Sequence, residues 1–253
     1  MLTAYFSGTG NSQYLAGRFS KIMGAECHSI EEAADFAALF SAHRQIAFFY
    51  PVYGSEVPRI MREFVSAHQK DLAGKELMIF CTQMLFSGDG ARVFTELLAG
   101  VGYRVIYAEH FKMPNNIVNF ALFKIKNGEA IKHTLASANE KLDQVCENIT
   151  NGVVVKRGFN PLSHFMGLWI QRKYYGMIER KAEKDVRISA ACILCGECVA
   201  ACPMRNLSIE EQNVIQHHNC TLCCRCVNLC PVSAITVLLH GKIKEQYQGV
   251  AEI

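Results

Sequence analysis

The chain has 253 residues, 50% hydrophobic and 19% charged, with a formal net charge of +3. That length suffices for one large domain and a small one, and so slight a charge gives no ground for a nucleic-acid partner. Twelve cysteines in a chain that opens without a secretory signal read as a reducing cytoplasm rather than a disulfide framework, and no apolar run approaches the length of a membrane span.

Residues 2–6, LTAYF, read as a short buried strand, and Ser7, Gly8, Thr9, Gly10, Asn11 and Ser12 follow as a turn. From Ser12 the pattern is helical, with Tyr14, Leu15, Phe19 and Ile22 on one face. A strand, a hydroxyl- and Gly-rich turn and a helix form a phosphate cradle, in which backbone N–H groups and the helix N-terminus face an anion. The dinucleotide fingerprint would need glycine where Gln13 stands, and the Gly-Lys-Ser/Thr of a P-loop is absent. A monophosphate gripped by hydroxyls fits better, the alternative being a turn that only connects two elements.

Residues 45–50, QIAFFY, read as a second buried strand, ending in Pro51, Val52, Tyr53, Gly54 and Ser55, with Pro58 opening a helix to about Val65. Residues 76–81, ELMIFC, form a third, opening into Thr82, Gln83, Met84, Leu85, Phe86, Ser87, Gly88, Asp89 and Gly90 before a helix from about Ala91 to Leu98. Another strand at 103–107 precedes Met113-Pro114-Asn115-Asn116, which either closes over a ligand or is a loop whose asparagines satisfy its own backbone. A long helix spans about Glu129 to Ile149. Strands alternating with helices predict an α/β fold with a doubly wound parallel sheet, whose ligand sits beyond the carboxyl ends of the strands. All three special loops leave from those ends. Asp89 reads as a turn residue before Gly90, and Cys27, Cys81 and Cys146 as small buried hydrophobes.

Glycines at 152 and 158 and proline at 161 place a boundary between a 1–150 domain and a 151–184 connector. Residues 1–150 sum to −1, residues 151–191 to +5 and the remainder to −1, so the basic excess sits at the connector. A helix from Leu162 to Lys184 would place Leu162, Phe165, Met166, Trp169, Ile170, Tyr174 and Met177 on one broad face, interrupted by Lys173 and Arg180. We read it as a helix packed between two domains. A basic amphipathic helix bound to a membrane surface or an acidic partner is the alternative.

The segment 185–253 carries two cysteine runs, one within about 185–212 and one within about 213–240. Each fits C-x2-C-x2-C-x3-C-P: Cys192, Cys195, Cys198, Cys202, Pro203, then Cys220, Cys223, Cys226, Cys230, Pro231. This is the bacterial ferredoxin run that holds a 4Fe-4S cluster. Three cysteines spaced by two residues wrap three corners of a cubane from one tight loop, and the fourth reaches the other cluster. One cluster then takes Cys192, Cys195, Cys198 and Cys230, and the other Cys220, Cys223, Cys226 and Cys202. Structural zinc is the rival, but it uses four ligands in two pairs, whereas each run here offers four. Cys224 reads as a packing residue, and His217-His218 as surface loop.

YFSGTGNS, the loop with PVYG and the loop with FSGDGA resemble the three FMN-binding loops of flavodoxins. With the cysteine runs, the whole chain resembles the fused flavodoxin–ferredoxin proteins. The resemblance implies a flavodoxin-like sheet domain and a small α+β ferredoxin-like domain with two clusters. It also implies an FMN phosphate held by Ser7 to Ser12 and an isoalloxazine flanked by Pro51 to Ser55 and by Thr82 to Gly90. Tyr53 and Phe86 would stack on the ring or pack on neighbouring loops. Gly54, or else Gly88, would carry the peptide that turns over on flavin reduction.

The function so implied is electron transfer between two 4Fe-4S clusters and FMN, with a ferredoxin-like protein as donor or acceptor and, if the chain is an enzyme, a substrate the sequence does not name. The rivals are a non-enzymatic carrier or docking subunit, and a ferredoxin whose flavin site no longer binds FMN.

Overall fold

A computed structural model describes residues 1–118 and 124–250, so the last three residues of the 185–253 segment lie outside the described ones. The first part alternates strand and helix: β1 Leu2–Tyr5, α1 Asn11–Met23, β2 Glu26–Ser29, α2 Phe36–Ala42, β3 Gln45–Pro51 and α3 Arg59–Ala67. It continues with β4 Glu76–Gln83, α4 Gly90–Glu96, β5 Arg104–Lys112, α5 Glu129–Thr150 and β6 Val155–Lys156. All pairings are parallel, in the order β2-β1-β3-β4-β5-β6. The five central residues of β3 and the first seven of β4 are buried. Strands covered by helices on both faces carry continuous apolar runs rather than alternation.

One core lies beneath α2, α3 and α4, built on Phe40, Phe48, Tyr50 and Phe94. The other lies beneath α1 and α5, built on Phe19, Phe49, Phe80 and Leu142.

Three differences from the sequence reading have local causes. β2 reads ECHS with no buried residue, an edge strand without an apolar signal. α2 has only 7 residues, and its start is fixed by Asp35, whose side chain accepts from the Ala38 N–H. β6 is two residues long and joins the sheet beyond residue 150, inside the segment assigned to the connector.

α6 Pro161–Phe165 runs through a π-helical stretch, Met166–Arg172, into α7 Lys173–Lys184. The remainder is small: β7 Val186–Ile188, α8 Glu197–Ala200, β8 Leu207–Glu210, β9 Asn213–Gln216, α9 Arg225–Leu229 and β10 Ile235–Val237. β7 pairs antiparallel with β10, and β8 with β9. The two cysteine runs repeat each other's backbone. Leu194 and Leu222 both have φ near 58°, and Gly196 and Cys224 both lie in the left-handed region. Among the described residues no helix is long and apolar enough to cross a membrane.

His110 on β5 is 2% exposed, and its Nε2 accepts from the Ala91 N–H at 3.4 Å. Burial lowers its pKa from 6.5 to about 4. The unfolded chain therefore takes up this proton first as pH falls. The stability tied to neutral His110 is complete above pH 6.5 and is lost as the pH falls from there toward 4, up to about 3 kcal/mol in all. His110→Gln removes the titrating group. The stability advantage of the wild type over this variant, read from urea midpoints, should shrink from about pH 7.5 to about pH 5.5; an advantage that stays constant would assign the slope to other groups.

Candidate functional site

At the carboxyl ends of the strands, where the connections from β1 and β3 diverge, the three loops converge on a cleft of about 380 Å³, within the usual range for a small-molecule site. Ser7, Gly8, Thr9, Asn11 and Ser12 line it from the first loop, Pro51, Val52, Tyr53 and Gly54 from the second, and Thr82, Gln83 and Phe86 from the third. Met113, Pro114 and Asn116 also line it, which favours the reading that this segment closes over a ligand. Gly10, Ser87, Gly88 and Gly90 do not line it. Gly10 is the left-handed N-cap of α1. Gly90 donates its N–H to Ser87 Oγ at 3.0 Å.

Gly88 lies beneath the connector. Its N–H donates to Ser55 Oγ at 2.8 Å and to Gln171 Oε1 at 3.1 Å, and a Cβ there would lie 2.6 Å from the Ser163 carbonyl oxygen. Gly54 instead opens on the cleft with φ 58°, and a Cβ there would stand 2.8 Å from Cβ of Tyr175. Of the two candidates for a peptide that turns over, only Gly54 borders the cleft.

No side chain caps the N-terminus of α1, and its first turn carries no acidic residue. An uncapped N-terminus presents backbone N–H groups and a partial positive charge to an anion. The side chains of the turn build its shape. Ser7 Oγ accepts from the Gly10 N–H at 3.1 Å, Thr9 Oγ1 accepts from Asn116 Nδ2 at 2.9 Å, and Ser12 Oγ pairs with Thr82 Oγ1 at 2.8 Å. Asn11 donates to the Pro114 carbonyl at 2.9 Å and accepts from the Tyr247 hydroxyl at 2.6 Å. As acceptors, Ser7 and Thr9 keep their own O–H groups for donation.

The cysteine-bearing part forms the opposite wall. Leu222, Cys224 and Val227, all from the second run, line the cleft, as do Tyr175 and Ile178 from α7. A Cβ at Gly8 would collide with the Cys223 carbonyl oxygen, so this contact requires glycine. Arg225 donates from Nε to the Gly8 carbonyl at 3.0 Å and from Nη2 to the Ser7 carbonyl at 2.7 Å, and it pairs with Glu31 at 2.7 Å. The second run is thus seated on the turn between β1 and α1. Nothing in the sequence pattern singles out Arg225, because its partners on the sheet domain, Ser7, Gly8 and Glu31, lie more than 190 residues away.

Three side-chain atoms of lining residues are buried without a hydrogen-bond partner: Tyr53 Oη, Gln83 Oε1 and Tyr175 Oη. Burial, then the Cys223 and Cys224 thiols, hold the Tyr53 phenol well above its usual pKa, so it stays a donor. Two donors and an acceptor left without partners on residues that line a largely apolar cleft suit the polar edge of a planar heterocycle, and the uncapped helix suits a phosphate. The cleft therefore fits FMN. Among the described residues no Asp, Glu, His, Lys or Arg lines it.

Cys192, Cys195, Cys198 and Cys230 line one small cavity, so the last cysteine of the second run joins the first three of the first. Cys202 in turn stands near Cys220, Cys223 and Cys226: burial raises the pKa of all three, and the neighbouring Cys202 raises them further. Cys224 stands outside both sets and faces the cleft, buried enough to push its thiol well above the usual range.

One expectation is extended and one is corrected. Asp89, in the bend before Gly90, is fully buried. It pairs with Arg172, with Arg92 at 2.8 Å and with His164 Nδ1 at 2.9 Å. Burial raises its pKa, and Arg172, His164 and Arg92 overcome that, leaving the carboxyl below its usual range. The connector's broad apolar face does not pack between domains. Leu162, Phe165, Trp169, Ile170, Tyr174 and Met177 are each more than half exposed. The helix docks by its other side, where Gly167, Tyr175 and Ala182 are buried and where Glu179 pairs with Arg62 and Glu183 with Arg59. Half-buried ion pairs anchor this side, so apolar periodicity pointed to the wrong face.

A flavodoxin domain family matches residues 2–124, and a 4Fe-4S dicluster domain family matches residues 184–246. Among solved structures, oxidised flavodoxin 1 from Bacillus cereus is 17% identical, covers 59% of this chain and 96% of its own, and has a TM-score of 0.41. The flavodoxin of Streptococcus pneumonia TIGR4 is 17% identical, covers 59% of this chain and 97% of its own, and has a TM-score of 0.42. These scores are too low to carry any residue across. No curated protein matches.

Proposed function

We propose, on the premise that this chain belongs to the fused flavodoxin–ferredoxin proteins, that it passes electrons between two 4Fe-4S clusters and an FMN bound in the cleft. When bound, the clusters supply one-electron exchange and the flavin supplies one- or two-electron exchange, which couples the two kinds of redox chemistry. Cys192, Cys195, Cys198 and Cys230 would hold one cluster, and Cys220, Cys223, Cys226 and Cys202 the other. Ser7 to Ser12 would hold the FMN phosphate, with Tyr53, Gln83 and Tyr175 at the ring.

The observation that carries this reading is the shared wall. Leu222, Cys224 and Val227 belong to the second cysteine run and line the cleft, and Gly8 touches the Cys223 backbone. Tunnelling falls steeply with distance, so a ligand loop in contact with the cleft favours internal transfer. The first run is the outward one. Cys195 is exposed and Ile193 is 60% exposed, while Cys223 is buried. A ferredoxin-like donor would therefore dock at Ile193 and Cys195.

Rapid anaerobic mixing of the holoprotein with a low-potential one-electron donor tests this. Cluster absorbance should bleach first, and flavin absorbance should follow at a rate independent of protein concentration. A flavin rate that rises with protein concentration would make transfer intermolecular and the chain a simple carrier.

A further inference from the structure

The inner side of the 161–184 helix is occupied. Gly167, Tyr175 and Ala182 are buried, and Arg172, Glu179 and Glu183 are paired across the seam. The outer side is free and of one character. Leu162, Phe165, Trp169, Ile170, Tyr174 and Met177 are exposed by 51 to 70%, and large apolar side chains grouped on one exposed helix face mark an interaction site.

Charge narrows what covers it. Lys173, Arg180, Lys181 and Lys184 are exposed beside these residues. The only carboxylates of the segment, Glu179 and Glu183, turn inward onto Arg62 and Arg59. Cations near a helix C-terminus also complement its dipole, which accounts for Arg180, Lys181 and Lys184 but not for Lys173. Lys173 Nζ lies 5.4 Å from the Trp169 ring and 5.7 Å from the Tyr174 ring. Tryptophan, tyrosine and lysine so grouped on an apolar helix face are the composition of a bilayer interface.

We infer that the outward face of this helix docks on an anionic lipid bilayer, lying in the plane of the interface. A second copy fits the face less well, since symmetric pairing would set its four cations against their equals with no outward carboxylate between them. The patch is also continuous with the cleft mouth. Leu85, Phe86 and Ile178 line the cleft and are themselves exposed, and Gln171 of the helix donates to the Phe86 carbonyl at 3.0 Å. Docking by this face sets the cleft mouth at the lipid surface.

Trp169 is the only tryptophan of the chain, so its emission reports on this face directly. The holoprotein is titrated with phosphatidylcholine vesicles with and without phosphatidylglycerol, following Trp169 emission and vesicle flotation. The emission should shift to the blue and the protein float with the anionic vesicles, at least about tenfold more tightly than with neutral ones and weakening with salt. L162Q/I170Q/M177Q should abolish both signals with cofactor absorbance unchanged, and K173Q/R180Q/K181Q/K184Q should abolish the preference for anionic lipid. Three results would overturn the inference: a blue shift that grows with protein concentration without vesicles, which means a second copy; a shift with soluble polyglutamate but none with vesicles, which means an acidic protein; and flotation that survives the apolar triple change, which puts the lipid contact elsewhere.

Discussion

Cys202→Ala is expected to remove the cluster beside the flavin cleft and leave the other in place. Cys202 lies in the first run, yet its thiol acts on Cys220, Cys223 and Cys226 of the second. Iron and sulfide should fall by about half, one of two cubanes, and the flavin should remain bound but lose its rapid phase of internal reduction. Cys230→Ala is the converse, since Cys230 lines the cavity of Cys192, Cys195 and Cys198. It should cost the outward cluster and spare the inner one. If Cys202→Ala instead emptied the Cys192 site, each run would ligate its own cluster and the crossed assignment would be wrong.

Asp89→Ala should destabilise the chain by about 3–5 kcal/mol, the usual cost of breaking a buried ion pair by removing one partner. The carboxylate is fully buried and satisfies Arg172, Arg92 and His164 together. Arg172 comes from the connector, so the loss should also loosen the helix from the third cleft loop. Limited proteolysis within 161–184 and weaker flavin retention should accompany the lower urea midpoint. A drop under about 1 kcal/mol would place Asp89 among ordinary surface ion pairs.

Much of this protein was legible in the order of its residues. The apolar runs QIAFFY and ELMIFC announce strands buried on both faces because only such strands dispense with alternation. The cysteine spacing announces a 4Fe-4S domain because three thiolates two residues apart wrap one cubane corner by corner, and such a domain family matches residues 184–246. The convergence of the turns at Ser7, Pro51 and Thr82 follows from their leaving the same ends of parallel strands. Local chemistry carries each of these signals, within a dozen residues.

Four features needed the tertiary structure, and each depends on chain segments far apart in sequence. Arg225 reaches the Ser7 carbonyl across more than 200 residues, and no local pattern encodes such a contact. Gly8 reads as a phosphate-turn glycine, but it also leaves room for the Cys223 carbonyl. Asp89 beside Gly90 has the signature of a turn, and only the arrival of the connector buries it. The connector's own orientation ran against its periodicity. Apolar spacing shows that a helix has a greasy face and says nothing of what meets it; here three ion pairs across the seam, Arg59 with Glu183, Arg62 with Glu179 and Asp89 with Arg172, hold the polar side inward, and the greasy face is turned outward.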